Sequence, residues 1–252
     1  DITGTLIVNT YATSYAYANI HEPTASVKLV NVSVNKVCAY AKGTYESSMD
    51  TTGSEEDAIQ AANVKIGTGY NTYAEAYTGP SGVVISAVNI NVNTAKAYTQ
   101  TDALATVVGS GGAYVTGDID VRVNGDATAY AYVNQPTFSM AITNVAANSV
   151  YAYQSVDQEA YFDVSGTVYA GGDITVESYY YASAASNPSL NEGAVAEVDA
   201  PKGSVSVSFI SGGVNKAYAM ASMTSDAWIG GSGGGTIQAG GNITVSSDTT
   251  TR

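Results

Sequence analysis

Alanine occupies every second position of Asp126–Tyr132 (DATAYAY), and tyrosine fills two of the places between. The same alternation returns in Ser14–Ala18, Cys38–Lys42, Ala95–Thr99, Ser149–Tyr153 and Asn215–Met220. A period of two predicts β-strands with two unlike faces, one nearly pure alanine and one aromatic. Helical periodicity is absent throughout. Val and Ile keep phase with the alanines within each stretch, so alanine is expected to point inward and tyrosine outward. Were the tyrosines to point inward instead, the core would be wide and aromatic.

Two landmarks recur in step. The first is a small residue followed by x-[Ile/Leu/Val]-x-[Val/Ile], at Gly4–Val8, Ala62–Ile66, Gly117–Val121, Gly172–Val176 and Gly241–Val245. Its leading apolar residues, Leu6, Val64, Ile119, Ile174 and Ile243, lie 58, 55, 55 and 69 residues apart. The second is an asparagine before the alanine strand, Asn35, Asn93, Asn148 and Asn215, at intervals of 58, 55 and 67 residues. The shared spacing defines one repeat, with units at about 4–61, 62–116, 117–171 and 172–240 and the start of another at 241–252. The long last interval predicts an insert around Asn187–Gly203, where NPSLNEG and DAPKG carry turn chemistry.

Each unit holds about six short apolar runs, of ordinary strand length. The expected fold is an all-β, right-handed parallel β-helix: a single solenoid segment with two three-strand coils per unit. Four units then give roughly eight rungs at ~4.8 Å, a rod on the order of 40 Å long. A β-sandwich would call for Asn-Gly or Asp-Gly turns between alternating strands, and only Asn124-Gly125 and Asn191–Gly193 come near that. The asparagines are expected to mark a corner. Val34 and Val37 stand three apart, so the in/out phase would break there, and stacked Asn side chains would form a hydrogen-bonded ladder.

Composition restricts the function. Charged residues are only 12% of the chain, and Tyr (20) far outnumbers Phe (3). The surface is therefore neutral and polar, with rings that meet water or a partner at one end. A net charge of −13 opposes binding to nucleic acid and to anionic membranes. No apolar run is long enough to span a bilayer, so membrane insertion is not expected. Cys38 is the single cysteine, which leaves neither an internal disulfide nor a Cys/His zinc set. Asp1–Val8 already reads as strand, so a piece of a longer, processed protein is expected.

The candidate functional surface is an aromatic ladder of Tyr17, Tyr40, Tyr98, Tyr130, Tyr132, Tyr151, Tyr153 and Tyr218, with Lys36, Lys96 and Lys216 as a second, basic line. Such a ladder stabilises the stack, or binds sugar rings or a neighbouring rod. A conduction path through the rings has no redox centre to serve it. Asp50, Asp57, Asp118, Asp163, Asp173 and Asp226 are candidate oxygen ligands for calcium; no other cofactor is expected. Asp118, Asp120 and Arg122 are the nearest approach to an acid/base set, without the convergence that catalysis needs. His21, next to Glu22 and Pro23, reads as a solvated turn residue. No enzyme is expected.

Val214–Ser247 resembles the repeats of very large bacterial exoproteins of the filamentous-haemagglutinin-like adhesin type. The match is carried by Ala227-Trp228-Ile229-Gly230, Ile237, Ala239, Gly240, Gly241, Ile243 and Val245, and one unit earlier by Thr167–Val176. The resemblance implies a secreted or surface-anchored β-helical rod serving adhesion or matrix building, with neighbouring copies or repeats, and glycans, as partners. The density of AYAY exceeds that pattern and favours self-assembly. The alternatives are a carbohydrate-binding module that uses the aromatic stripe and, behind it, a polysaccharide-active β-helix enzyme.

Overall fold

The computed structural model describes residues 2–21, 25–51, 58–79, 82–181, 193–199, 204–230 and 234–250. These residues form a parallel β-solenoid with no helix. One wall is built from β1 (Ile2–Ile20), β3 (Ile59–Thr78), β5 and β6 (Ala113–Val115, Ile119–Asn134), β8, β9 and β10 (Thr167–Ala170, Ile174–Tyr181, Ala194–Asp199), and β12 and β13 (Thr236–Ala239, Ile243–Thr250). The facing wall has four long strands in file: β2 (Ala25–Asp50), β4 (Val83–Gly109), β7 (Phe138–Val164) and β11 (Val205–Gly230). The chain passes from one wall to the other and back in each unit, and all pairings are parallel.

Each residue pairs with its equivalent one full unit away: Val64 with Leu6 and Ile119, Asn93 with Asn35 and Asn148. A unit is therefore one broad coil, not two small ones. The stack holds four coils and the start of a fifth, about 20 Å high at ~4.8 Å per strand, rather than eight rungs. The strands of the second wall run 26 or 27 residues. They looked shorter in the sequence because polar residues interrupt the apolar runs. Those residues also point inward and bond there, as Gln154, Gln158 and Thr101 do, so the strand continues through them.

The insert of the last unit is divided. Partner offsets grow from 55 at Gly125–Tyr180 to 65 at Ala129–Ala194, to 67 at Phe138–Val205 and to 69 at Thr167–Thr236. Most of the expected insert, Asn187–Gly203, lies outside the described residues. Its described part, β10, returns to the wall and pairs with β6.

The phase break lies elsewhere than at the asparagines. Ser33, Asn35, Val37 and Ala39 all face inward in unbroken alternation, and Val34 faces out at 71% exposure. Ser26 and Asn31, five residues apart, also both face in, with the Ser26 hydroxyl 3.4 Å from Asn31 Oδ1. The corner is thus at Leu29 and its equivalents Ala87, Ile142 and Phe209, where the ladder pairing skips a residue in every coil. No non-glycine residue among those described has a positive φ, so Asn is not serving a left-handed bend.

Two cores fill the space between the walls. One is wide and branched, with Val64, Ile66, Val121, Phe162 and Ile174 among its buried residues. The other is narrow and almost entirely alanine: Ala39, Ala41, Ala74, Ala76, Ala95, Ala97, Ala129, Ala131 and Ala152. Inward alanine lets the walls approach closely, and the intervening tyrosines are left on the outside.

Candidate functional site

In-register stacking turns each repeated position into a file of side chains. The Asn file is complete: Asn35 Nδ2 donates to Asn93 Oδ1 (2.9 Å), Asn93 Nδ2 to Asn148 Oδ1 (3.0 Å), and Asn148 Nδ2 to Asn215 Oδ1 (2.9 Å). The three donations run in one direction along the axis. A second, parallel file was not foreseen: Asn31 donates to Asn89 (2.8 Å) and Asn89 to Asn144 (2.9 Å). Its signal was the Asn four residues before each landmark Asn in the first three units. The two files line a small polar cavity inside the corner end of the coil, with Ser139, Gln135 and Ser206 opposite.

A third file explains the Ala-Gly-Gly-Asp/Asn-Ile motif. The Asn63 side-chain oxygen accepts from the backbone N–H of Asp118, Asp118 Oδ1 from that of Asp173, and Asp173 Oδ1 from that of Asn242. Carboxylates that accept from backbone amides fix the turn and tie each coil to the next. A Cβ on Gly172 or Gly241 would fall 2.1 Å from the carboxylate of the coil before it. A Cβ on Gly171 would fall 2.2 Å from the Thr116 carbonyl, and one on Gly240 2.3 Å from that of Gly171. Glycine is required here for close approach of neighbouring coils.

The expected tyrosine ladder separates into columns on opposite walls. Tyr40, Tyr98 and Tyr153 form one column on the second wall, with ring centroids 6.4 and 6.3 Å apart and planes tilted by 61° and 51°. Met220 continues it. Beside it, Tyr151 and Tyr218 stack at 5.3 Å and 7°. Tyr17, Tyr130 and Tyr132 lie on the first wall. There Tyr130 stacks on Tyr132 (6.0 Å, 14°), Tyr132 on Tyr77 (5.5 Å, 4°), and Tyr15 on Tyr73 (5.1 Å, 5°). Burial and Glu197 push the Tyr130 phenol up to about 12. Burial and Asp199 raise Tyr132 as well. The lysines form no single line. Lys36 and Lys216 share a column with Thr94 and Ser149, whereas Lys96 stands one column over, its Nζ 4.9 Å from the centre of the Tyr151 ring.

Tyr45, Tyr70 and Tyr180 are buried, which the outward assignment of tyrosine did not anticipate. Tyr70 donates to Gln158 Oε1 (2.7 Å), and Tyr180 donates to the Ala127 carbonyl (2.8 Å). Gln154 Nε2 donates to the Tyr180 hydroxyl, and Gln158 Nε2 to Ser178 and Ser225. This polar band separates the two cores. Burial, then the neighbouring Tyr180, raises the Tyr70 phenol far above its usual range.

The candidates for metal and acid/base chemistry do not converge. Among the described residues no three His, Cys, Asp or Glu side chains gather to hold a metal ion. Asp118 and Asp173 are engaged in the turn file, Asp50 and Asp226 are exposed on the second wall, Asp163 is half-buried one residue before the end of β7, and Asp57 lies outside the described residues. Arg122 pairs with Asp120 at 2.5 Å and with Glu177 of the next coil at 3.2 Å, a bridge between rungs. Burial raises the Asp120 carboxyl, and Arg122 opposes the shift. The ring of His21 sits 2.8 Å from the Asn19 amide and edge-on to Tyr77.

An apolar ridge crowns the corner, where Leu29 is 80% and Phe209 90% exposed. Ile85, Met140, Ile142 and Val207 line a groove beside Phe209. No family model, curated protein or solved structure matches the chain. The adhesin-type resemblance rests on the repeat motif alone.

Proposed function

We infer that this chain is a structural segment of a large extracellular bacterial surface or matrix protein, built to extend and display a β-solenoid rather than to turn over a substrate. The observation that carries this reading is the filing of equivalent side chains. Two asparagine files and the turn file bond a residue to its own equivalent in the next coil, so the unit is a component of a stack. The low charge, the exposed tyrosine columns and the apolar corner ridge suit contact with neighbouring copies or repeats.

Glycan binding has less support. A sugar stacks on a free ring face, whereas Tyr15–Tyr73, Tyr77–Tyr132 and Tyr151–Tyr218 turn their faces toward one another. Electron microscopy of the full-length protein tests the structural reading: thin rods or fibres are expected, and compact particles refute it. Glycan-array binding that disappears when Tyr98 and Tyr153 are replaced by Ala would favour the carbohydrate reading instead.

A further inference from the structure

The stacked tyrosines carry chemistry that stacking alone does not need. Phenylalanine would stack as well on a sheet, yet the chain has 20 Tyr against 3 Phe. In two stacked pairs on the first wall, one phenol also donates to a carboxylate. Tyr73 Oη donates to Glu75 Oε2 (2.8 Å) and Tyr132 Oη to Asp199 Oδ2 (3.2 Å). Their ring partners, Tyr15 and Tyr77, lie 5.1 and 5.5 Å away with planes within 5° and 4°. Tyr15 is 62% exposed.

We propose that Tyr15–Tyr73 and Tyr77–Tyr132 are sites of oxidative tyrosine coupling, at which peroxide and a one-electron oxidant of the haem-peroxidase class join successive coils covalently. A phenol that loses an electron becomes a strong acid and must shed its proton. Glu75 and Asp199 are in place to receive it. The two phenoxyl radicals of a pair then join through the ring carbons ortho to their oxygens. The hydrogens on those carbons move to the oxygens and restore two phenols. The two electrons and two protons removed reduce one hydrogen peroxide to two waters, so the coupled protein is lighter by two hydrogen atoms per link. In-register parallel pairing sets the two Cβ atoms one strand spacing apart, ~4.8 Å. Side-chain rotation then suffices to bring the ortho carbons together.

The structure also contains its own control. Tyr151 and Tyr218 stack equally well (5.3 Å, 7°), but the Lys96 ammonium sits over the Tyr151 ring, where a positive charge opposes removal of an electron. Tyr45 and Tyr70 stack at 5.9 Å inside the core, away from an external oxidant.

The test treats the dilute purified chain with hydrogen peroxide and a haem peroxidase, then maps cross-linked peptides by mass spectrometry. Links 15–73 and 77–132 are expected within single chains, several-fold ahead of 151–218. Glu75→Gln is expected to lower the 15–73 yield several-fold and to leave 77–132 unchanged, which also reports that the variant is folded. Lys96→Gln is expected to raise the 151–218 yield. The proposal is overturned if coupling is as frequent at an isolated exposed tyrosine such as Tyr11, if links form only between chains, or if Glu75→Gln leaves the 15–73 yield unaltered.

Discussion

Replacing Asn148 by Ala probes the claim that the asparagine file holds the coils in register. Asn148 is buried, accepts from Asn93 at 3.0 Å and donates to Asn215 at 2.9 Å. The substitution removes both bonds, each worth about 0.5–1.5 kcal/mol net. It also strands the Asn93 amide inside the coil, where an unsatisfied polar group costs about 1–3 kcal/mol. Asn215 lies on the last coil and is exposed, so water can replace its partner. The expected loss is therefore about 2–6 kcal/mol. Asn35→Ala, at the other end of the file, breaks the bond to Asn93 without stranding a donor of the next coil, and is expected to cost about 0.5–1.5 kcal/mol. Urea titration followed by circular dichroism measures both, with the midpoint shift read only where the slope is unchanged. Equal costs at the two positions, or a loss under about 0.5 kcal/mol for Asn148→Ala, would show that the file is incidental to stability.

Two further perturbations separate close approach and phenol burial from generic sheet packing. Gly171→Ala sets a Cβ 2.2 Å from the Thr116 carbonyl, whereas Gly212→Ala meets nothing within 4 Å. The first is expected to cost at least about 1–3 kcal/mol and the second to be neutral or slightly stabilising; indistinguishable melting temperatures would contradict the assignment of the motif glycines to inter-coil contact. Tyr70, Tyr73, Tyr130 and Tyr132 have phenols raised in the folded chain, so the unfolded chain ionises first. Stability is accordingly complete below about pH 10 and falls as pH rises from there through the folded values. The slope is about 1.4 kcal/mol per pH unit for a fully buried phenol such as Tyr70, and less for half-exposed ones. Alkaline titration with denaturation should show loss from about pH 10, lessened in Tyr70→Phe; a flat profile to pH 12 refutes the buried environment.

Much of the fold was legible because parallel stacking repeats its instructions. The alanine face could be assigned inward because Val and Ile share its phase, and Ala74, Ala97 and Ala129 are fully buried. The landmark asparagines could be placed in one file from spacing alone. The number of coils was misread because six apolar runs per unit suggest two turns of three strands. Yet each landmark recurs once per unit and never at half the period, which is the signature of one broad coil. The polar band was also readable in principle: Val156, Ala160 and Phe162 point inward, so Gln154 and Gln158, in the same phase, must do so too. Hydrophobicity alone places glutamine outside. Here amide and phenol satisfy one another across the walls, and hydropathy contains no trace of that pairing. The corner was misplaced for the opposite reason. Apolarity alone would place Val32 and Val34 inside, but they lie outside while Asn31 and Asn35 lie inside.

That inversion of polarity near the corner bears on assembly. An apolar interior would accept a neighbouring coil in several registers, since methyl groups pack against methyl groups with little discrimination. An interior filed with asparagine accepts one. A coil that brings Asn to the same place extends the hydrogen-bonded file, whereas a coil slipped by one residue flips its side chains to the other face. That slip sets an amide against a group that points away, at about 1–3 kcal/mol per stranded donor. Two asparagine files and the turn file of Asn63, Asp118, Asp173 and Asn242 impose the condition three times over. The edge strands of the end coils attract any extended chain through their backbones. The files restrict productive addition to coils of the same pattern, and so the residues that look least suited to a core supply the specificity of the stack.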